Sequence, residues 1–192
     1  MGRKPNTDQR RAQIIEALLG EMAAVGYERA SIRSIAARAE LTPGLVHYHF
    51  HSKEEILLAL VDGLIAEAEA RFAPVLDSAE TPARKLAAYI SSRVGLGPSA
   101  DNEQVRAWVG VIAETMGQSK VRSRVARWLG KDHAQLAALF AQAGAKAPEE
   151  LAACLLASIL GSFSLHAIRV NGVPRGYAEP QLLRWLEAVL AG

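Results

Sequence analysis

The sequence predicts an all-α protein with a small N-terminal unit of three helices and a larger C-terminal helical bundle. Three observations predict this class. Apolar residues recur at helical spacing in segment after segment, and no alternation of apolar and polar residues is long enough to indicate a strand. Glycine and proline residues divide the chain into segments of helical length. We place the domain boundary at residue 56, giving domains 1–56 and 57–192.

The first two helices are marked by an apolar face and by a cap. Apolar residues from Ile14 to Val25 fall on one face of the first helix, and Gly26 is expected to end it. Ser31 can cap a short second helix, because a serine hydroxyl accepts a hydrogen bond from a free backbone N–H at a helix start.

The third and fourth helices have equally specific start signals. Thr42 precedes Pro43, and proline at the first helical position loses no donor that the helix needs. Ser52 and Glu55 have the spacing of a capping box. We therefore predict a short helix from Thr42 to about Tyr48, and a longer helix that begins at Ser52.

Glycine and proline clusters delimit the C-terminal helices, at Pro74, Pro82 and residues 95–98, 144–148 and 172–180. Between them lie apolar helical faces formed by Val105, Trp108, Val109, Ile112 and Met116, then by Val121, Val125, Trp128, Leu136 and Leu139, and finally by Leu182, Leu183, Leu186, Val189 and Leu190.

Composition limits the class of protein. Half of the 192 residues are hydrophobic, the net charge is only +2, and the lone Cys154 fits a reducing cytoplasm better than a disulfide scaffold. Residues 151–168 contain no Asp, Glu, Lys or Arg and approach the length of a membrane span. Serine and histidine interrupt this segment, so we prefer a helix buried on nearly all sides inside the protein or a dimer to a membrane helix.

Residues 31–48 form two short helices around a turn, which is the helix-turn-helix arrangement that places its second helix in the DNA major groove. Leu41, Val46 and Phe50 are spaced to hold the second helix inward. Its outward positions are Pro43, Gly44, Leu45, His47 and Tyr48.

The side chains around this helix suit contacts with double-stranded DNA. Candidate donors to phosphate are Ser31, Thr42, His47, Tyr48 and Lys53. Arg33 has the fork that matches guanine O6 and N7, and Leu45 can meet a thymine methyl group. The basic residues from Arg3 to Arg11 are expected to add contacts as a flexible arm.

The stretch "SIRSIAARAELTPGLVHYHFHSKEEIL" resembles the N-terminal signature of the TetR family of transcriptional regulators. The resemblance covers roughly residues 10–60. It implies an all-helical homodimer, often a repressor, that binds a palindromic operator and releases it when a small-molecule effector enters the C-terminal ligand-binding and dimerisation domain. The positions that match the family's DNA contacts are Ser31, Arg33, Thr42, Pro43, Gly44, Leu45, His47, Tyr48 and Lys53.

Three residues depart from the family pattern. His47 stands where a tyrosine is usual, and Leu45 replaces a common small hydroxyl residue, which favours an apolar base contact. Glu40 occupies a turn position that is usually glycine, so strain is expected there if its φ is positive.

His47, His49 and His51 alternate in "GLVHYHFHSKEE" and raise the question of a metal site. Ser52 as a cap puts His51 outside the short helix, and no carboxylate or cysteine stands at a recognisable ligand spacing. We prefer DNA contact by His47 to zinc binding or packing, and predict no cofactor. His49 either packs beside Phe50 or contacts DNA.

Candidate sites in the C-terminal bundle rest on weaker patterns. Aromatic and sulfur-containing side chains at Tyr89, Trp108, Met116 and Phe140 are candidates for a ligand pocket, although such residues at helical spacing are more often core. A dimer interface is expected at Ala157, Gly161 and Ser164, because small residues let a symmetry mate approach closely. The resemblance implies that the final helix, with Leu182 and Leu186, completes a four-helix bundle between the two chains.

A second basic run consists of Lys120, Arg122, Arg124, Arg127 and Lys131. It is either a solvated helix face, which we prefer, or a second nucleic-acid surface. No nucleophile with a neighbouring base and no phosphate-binding glycine loop is recognisable, so no enzyme is predicted. The alternatives to a repressor are a transcriptional activator and a helical small-molecule-binding protein.

Overall fold

A computed structural model describes residues 4–94 and 102–191, except for the side chains of residues 4–6, 75, 77, 78 and 102–104. All regular secondary structure in these ranges is α-helical, as the sequence predicts. The helices are α1 (Lys4–Val25), α2 (Ile32–Arg38), α3 (Pro43–His49), α4 (Lys53–Ser78), α5 (Pro82–Val94), α6 (Asn102–Glu114), α7 (Ser119–Gln142), α8 (Pro148–Ile168) and α9 (Ala178–Ala191).

The chain divides into two compact units. The first comprises residues 1–64 and 110–125, and the second comprises residues 65–109 and 126–192. Helices α4, α6 and α7 contribute residues to both. Since α4 passes residue 56 without a break, the predicted domain boundary lies inside a helix, and it stays a prediction about which residues serve which function.

Helices α1, α2 and α3 contact one another around the core of the first unit. Ile14, Leu18, Ile35, Val46 and Phe50 are fully buried there. Because α2 and α3 have only seven residues each, their positions depend on this shared apolar core rather than on intrinsic helix stability.

In the second unit, α5, α8 and α9 contact one another. Its core includes Leu86, Ile90, Phe140, Leu155 and Leu186, all at most 4% exposed. Edge-to-face aromatic pairs add to it, since the rings of Phe72 and Tyr89 lie 5.0 Å apart and those of Phe140 and Trp185 lie 6.2 Å apart.

Three expectations about helix limits and burial need correction. Pro74 does not end a helix, because α4 continues through it to Ser78. The basic arm is helical from Lys4 onward, so most of it is not flexible, while Arg3 lies outside the described residues.

The third correction concerns α8. Among the described residues it is the one helix long and apolar enough to cross a membrane, yet only 28% of its apolar window is buried. Ala152, Leu155, Ile159 and Ser162 are the buried residues on one face. Burial on nearly all sides within the chain is therefore wrong, and burial in a dimer stays a prediction.

Candidate nucleic-acid interface and ligand cavity

Helix α3 begins as its sequence predicts. The Thr42 side chain accepts a hydrogen bond from the Leu45 backbone N–H, with 3.2 Å between the atoms, and Pro43 is the first helical residue. Val46 and Phe50 are fully buried and Leu41 is half-buried, so one side of α3 faces the core.

The opposite side of α3 is open. Pro43, Gly44 and His47 are exposed, and Tyr48 is 72% exposed. A large aromatic ring with that exposure is unusual for a packing residue. Leu45 is only half-buried, so a part of its side chain remains available on the same side.

The turn between α2 and α3 explains the departure at Glu40. Glu40 has φ 53°, in the left-handed region, as the usual glycine at this position would suggest. The Leu41 N–H donates to the Ala36 carbonyl at 2.9 Å, and the Glu40 N–H donates to the Ala37 carbonyl at 3.1 Å. These two bonds form a Schellman motif, which satisfies carbonyls at the end of α2.

Two side chains of α1 hold the ends of α2 and α3. Gln13 Nε2 donates to the Ala39 carbonyl at 2.6 Å. Arg11 donates to the His49 carbonyl, and its guanidinium lies 4.0 Å from the centre of the Phe50 ring. Arg11 is thus committed within the unit, and α1 fixes the orientation of the two short helices.

Helix α2 presents its N-terminus with two exposed residues of interest. Ser31 caps α2 and forms a reciprocal capping box with Ser34, in which the Ser34 hydroxyl bonds the Ser31 backbone N–H at 3.0 Å. Arg33, in the first turn, is exposed. Both residues are therefore accessible, as the prediction of DNA contact requires.

Lys53 has a different environment from the one that a phosphate contact needs. Its Nζ donates to the carbonyls of Tyr27 at 2.8 Å and of Ala30 at 2.9 Å, with a longer contact to the Glu28 carbonyl at 3.4 Å. It also lies 4.1 Å from the centre of the Tyr27 ring. The ammonium thus holds the α1–α2 connection, and a phosphate would have to displace one of these acceptors.

The Ser52–Glu55 capping box is half formed. Ser52 Oγ accepts from the Glu55 N–H at 3.1 Å, as predicted. The Glu55 carboxylate accepts from the His51 N–H at 2.8 Å instead of from the N-cap residue itself. The backbone of His51 is thereby fixed just before α4.

The three histidines occupy different settings. His47 is exposed, whereas His49 is half-buried and its ring lies edge-to-face against Tyr48 at 5.1 Å. Within the described parts of the chain, no group of three His, Cys, Asp or Glu residues is arranged to hold a metal ion.

The second unit contains a small cavity among α4, α5, α6, α7 and α8, with a volume of about 30 Å³. Tyr89 and Trp108 line it, so two of the predicted pocket residues lie together. The rings of Trp108 and Trp128 stack at 4.7 Å, with 19° between their planes.

A buried polar cluster forms part of the cavity wall. Asp132 Oδ2 accepts hydrogen bonds from Tyr89 Oη and from Arg93 Nη2, each at 2.7 Å. Burial of the Tyr89 phenol raises its pKa, and the neighbouring Asp132 carboxylate raises it further, against an opposing effect of Arg93. The phenol therefore stays a hydrogen-bond donor at neutral pH.

The other two predicted pocket residues do not line this cavity. Met116 is 85% exposed and belongs to the first unit. Phe140 is fully buried in the core of the second unit and packs against Trp185. Arg93, Asp132 and Trp128 were missed, because a pairing between residues 39 positions apart leaves no local sequence signal.

The predicted dimer residues differ in their exposure. On α8, Ala157 and Gly161 are exposed and Ser164 is half-buried, and the exposed Cys154 lies one turn before Ala157. These positions are free for a symmetry mate. Leu186 is 4% exposed within the chain's own core and has little surface left for a partner, whereas Leu182 is half-buried, and the interface stays a prediction.

The basic run on α7 is largely paired with acids of α4. Lys120 pairs with Glu54 at 2.7 Å, and Arg124 forms two bonds of 2.6 Å with Asp62. Farther along, Lys131 pairs with Glu69 at 2.8 Å. Because acidic residues of α4 neutralise these cations, we favour a solvated helix face over a second nucleic-acid surface.

Comparisons with known proteins bear on the first unit most directly. Residues 14–60 match the sequence profile of "Bacterial regulatory proteins, tetR family". The chain is 27% identical over 113 residues to the HTH-type transcriptional regulator BetI of Rhizobium meliloti, covering 59% of this chain and 55% of that protein. It is 30% identical over 79 residues to the HTH-type transcriptional repressor KstR2 of Mycobacterium tuberculosis, covering 41% and 40%. The matched region thus spans about half the length of these relatives.

Solved structures share the fold over nearly the whole chain. A transcriptional regulator from Rhodococcus sp. Rha1 aligns with a TM-score of 0.83 at 25% identity, covering 95% of this chain and 96% of that one. A transcriptional regulator from Saccharomonospora viridis, solved in complex with choline, aligns with a TM-score of 0.82 at 22% identity, covering 94% and 96%. The profile match, the relatives and the shared fold together support a TetR-family transcriptional regulator.

Proposed function

We propose that this TetR-family regulator is a cytoplasmic homodimeric repressor that binds a palindromic DNA operator and releases it when a small molecule enters the second unit. The observation that supports DNA binding most directly is the exposure of α3, with Gly44, His47 and Tyr48 open to solvent above a buried Val46.

The proposed contacts fall into two kinds. Ser31, Thr42, His47 and Tyr48 contact phosphates and set the position of α3 in the major groove. Arg33 reads a guanine, while Leu45 meets a thymine methyl and Pro43 and Gly44 lie closest to the DNA backbone. A dimer places two copies of α3 in successive major grooves, which is why the operator is expected to be palindromic.

The proposed response to a small molecule uses α4. Its residues Ile56 and Leu57 are fully buried in the first unit, and its Ala68 lines the cavity of the second. A ligand that shifts the later part of α4 can therefore act on the earlier part. The choline complex of the Saccharomonospora viridis relative supports small-molecule binding in this fold. Coupling of about 1–3 kcal/mol is typical of such linked sites.

Selection from randomised duplex DNA tests the proposal. We expect enrichment of a palindrome whose half-sites are about one helical turn apart. Arg33→Ala should relax preference at one base position in each half-site, at a cost of about 1–3 kcal/mol there. The control is Arg122→Ala, which removes an exposed arginine of α7 and should leave base preference unchanged.

The alternative is a helical small-molecule-binding protein that keeps the N-terminal unit without its DNA function. It predicts no enriched sequence from the same selection. A transcriptional activator would enrich a palindrome as well, so a reporter gene that carries the enriched site distinguishes activator from repressor.

A further inference from the structure

Two residues that line the cavity of the second unit each carry a buried hydrogen-bond donor without an acceptor in the described part of the chain. The donors are Arg93 Nε and Trp128 Nε1. Arg93 is 7% exposed and Trp128 is 9% exposed, so bulk water does not serve them. A buried donor without a partner costs about 1–3 kcal/mol, which makes two in one cavity wall a feature that needs an explanation.

The two side chains that carry these donors are neighbours. The Arg93 guanidinium carbon is 5.2 Å from the centre of the Trp128 ring and 4.9 Å from that of Tyr89, so the guanidinium lies near both rings. Asp132 Oδ2 already accepts from Tyr89 and from Arg93 Nη2. The groups left without a partner at this point are therefore the two N–H donors.

The rest of the lining is mostly apolar. Val105, Leu156, Ile159 and Phe163 surround the cavity, and Trp108 closes one side by stacking on Trp128. The Arg93–Asp132 ion pair has no net charge, so a bound molecule need not be an ion. It must supply an acceptor at the two donors and apolar surface elsewhere.

We propose that this cavity binds small molecules with a carbonyl or carboxylate oxygen on a short apolar body, and that Arg93 Nε–H and Trp128 Nε1–H donate to that oxygen. This inference rests on the proposed function, since it names the class of effector for that site. A molecule whose polar group is only a donor, such as an ammonium ion, leaves both N–H groups unpaired and is discriminated against.

The cavity is small in this conformation, because about 30 Å³ holds only one or two water molecules. An entering molecule must therefore displace lining side chains. Those side chains belong to five helices, including Ala68 and Arg71 of α4. Binding and movement of the lining thus occur together.

Calorimetric titration of the full chain with three probes of matched length tests the proposal. The probes are hexanoate, 2-hexanone and hexylammonium. We expect hexanoate and 2-hexanone to bind, and hexylammonium to bind at least tenfold more weakly. Equal or tighter binding of hexylammonium overturns the proposal, and so does the absence of binding by all three.

Trp128→Phe keeps an aromatic ring but removes one donor. It should weaken hexanoate and 2-hexanone about tenfold, in line with one lost hydrogen bond. Trp185→Phe is the matched control, because Trp185 packs on Phe140 and does not line the cavity. Unchanged affinity in Trp128→Phe, with its melting temperature preserved, means that a buried water serves the donors and contradicts the proposal.

The DNA selection makes the two failures distinguishable. If a palindrome is enriched but none of the probes binds, the proposed regulator function stands and the proposed effector class is contradicted. If the probes bind and Trp128→Phe weakens that binding, but no DNA sequence is enriched, the proposed regulator function is contradicted and the proposed binding site stands.

Discussion

Arg93 and Asp132 form a buried ion pair, with 2.7 Å between Nη2 and Oδ2 and each side chain 6% exposed. Asp132→Ala should lower the free energy of unfolding by about 3–5 kcal/mol, because it leaves the arginine charge buried without its partner. Chemical denaturation measures this loss. The double variant Arg93→Met, Asp132→Leu should lose less than the single variant, since it buries no unpaired charge. A larger loss in the double variant would contradict this account.

Gly44 should separate stability from DNA binding. A Cβ at Gly44 meets no protein atom within 4 Å, and the residue has no positive φ. Gly44→Ala should therefore raise the stability of the free protein, by up to about 1 kcal/mol, through helix propensity. It should weaken operator binding, because the added methyl group lies where the proposed DNA backbone approaches. Thermal unfolding and a DNA titration measure the two effects.

Gly63 provides the matched control for that experiment. It is an exposed glycine of α4 that also has open space at its Cβ. Gly63→Ala should raise stability without changing operator affinity. Equal DNA affinities for Gly44→Ala and the parent chain would remove α3 from the proposed interface.

Lys53 should act on DNA binding through the α1–α2 connection. Lys53→Ala removes the ammonium that three carbonyls share, so we expect a loss of stability of about 1–3 kcal/mol and weaker binding to every DNA sequence. The slope of log affinity against log salt concentration should not change. A slope lowered by about 0.9 with unchanged stability would restore the phosphate contact that the resemblance implies.

Tyr27 should contribute a stability term that is lost at alkaline pH. Burial, followed by the negative charges of Glu114, Glu54 and Glu28, raises its pKa to about 12. Since the unfolded chain ionises its tyrosine near the ordinary pKa of about 10, this contribution is complete below pH 10 and falls as the pH rises toward 12. The difference in unfolding free energy between the parent chain and Tyr27→Phe should be constant up to pH 10 and shrink above it. A constant difference up to pH 11 would contradict the assignment.

Local signals made the first unit predictable from sequence. The caps at Ser31 and Thr42 form the hydrogen bonds that their residue types indicate, because those bonds span only three residues. The positive φ at Glu40 follows for the same reason, since a tight turn constrains its own residues. The position of helix α3 in the chain, and its inward and outward sides, could therefore be predicted from the sequence.

Side chains that choose between distant partners were not predictable in that way. The sequence predicts that Lys53 donates to a DNA phosphate. In the structure its Nζ donates instead to carbonyls 23 to 26 positions earlier in the chain. Helical periodicity assigns Phe140 and Leu186 to an apolar face without saying what that face meets, and both are core residues. The Arg93–Asp132 pair joins two helices whose proximity only the fold determines.

The exposed thiol on α8 gives the molecule a reporter group of its own. Cys154 is the single cysteine of the sequence, so a maleimide fluorophore reacts at one known place without any engineered residue. If two chains associate through the neighbouring small residues, the rate of labelling should fall as the protein concentration rises. The emission of the dyes on two associated chains should also change, because the two dyes then lie close together. The native chain can thus be used to follow its own self-association, and an unaltered labelling rate would place that contact elsewhere.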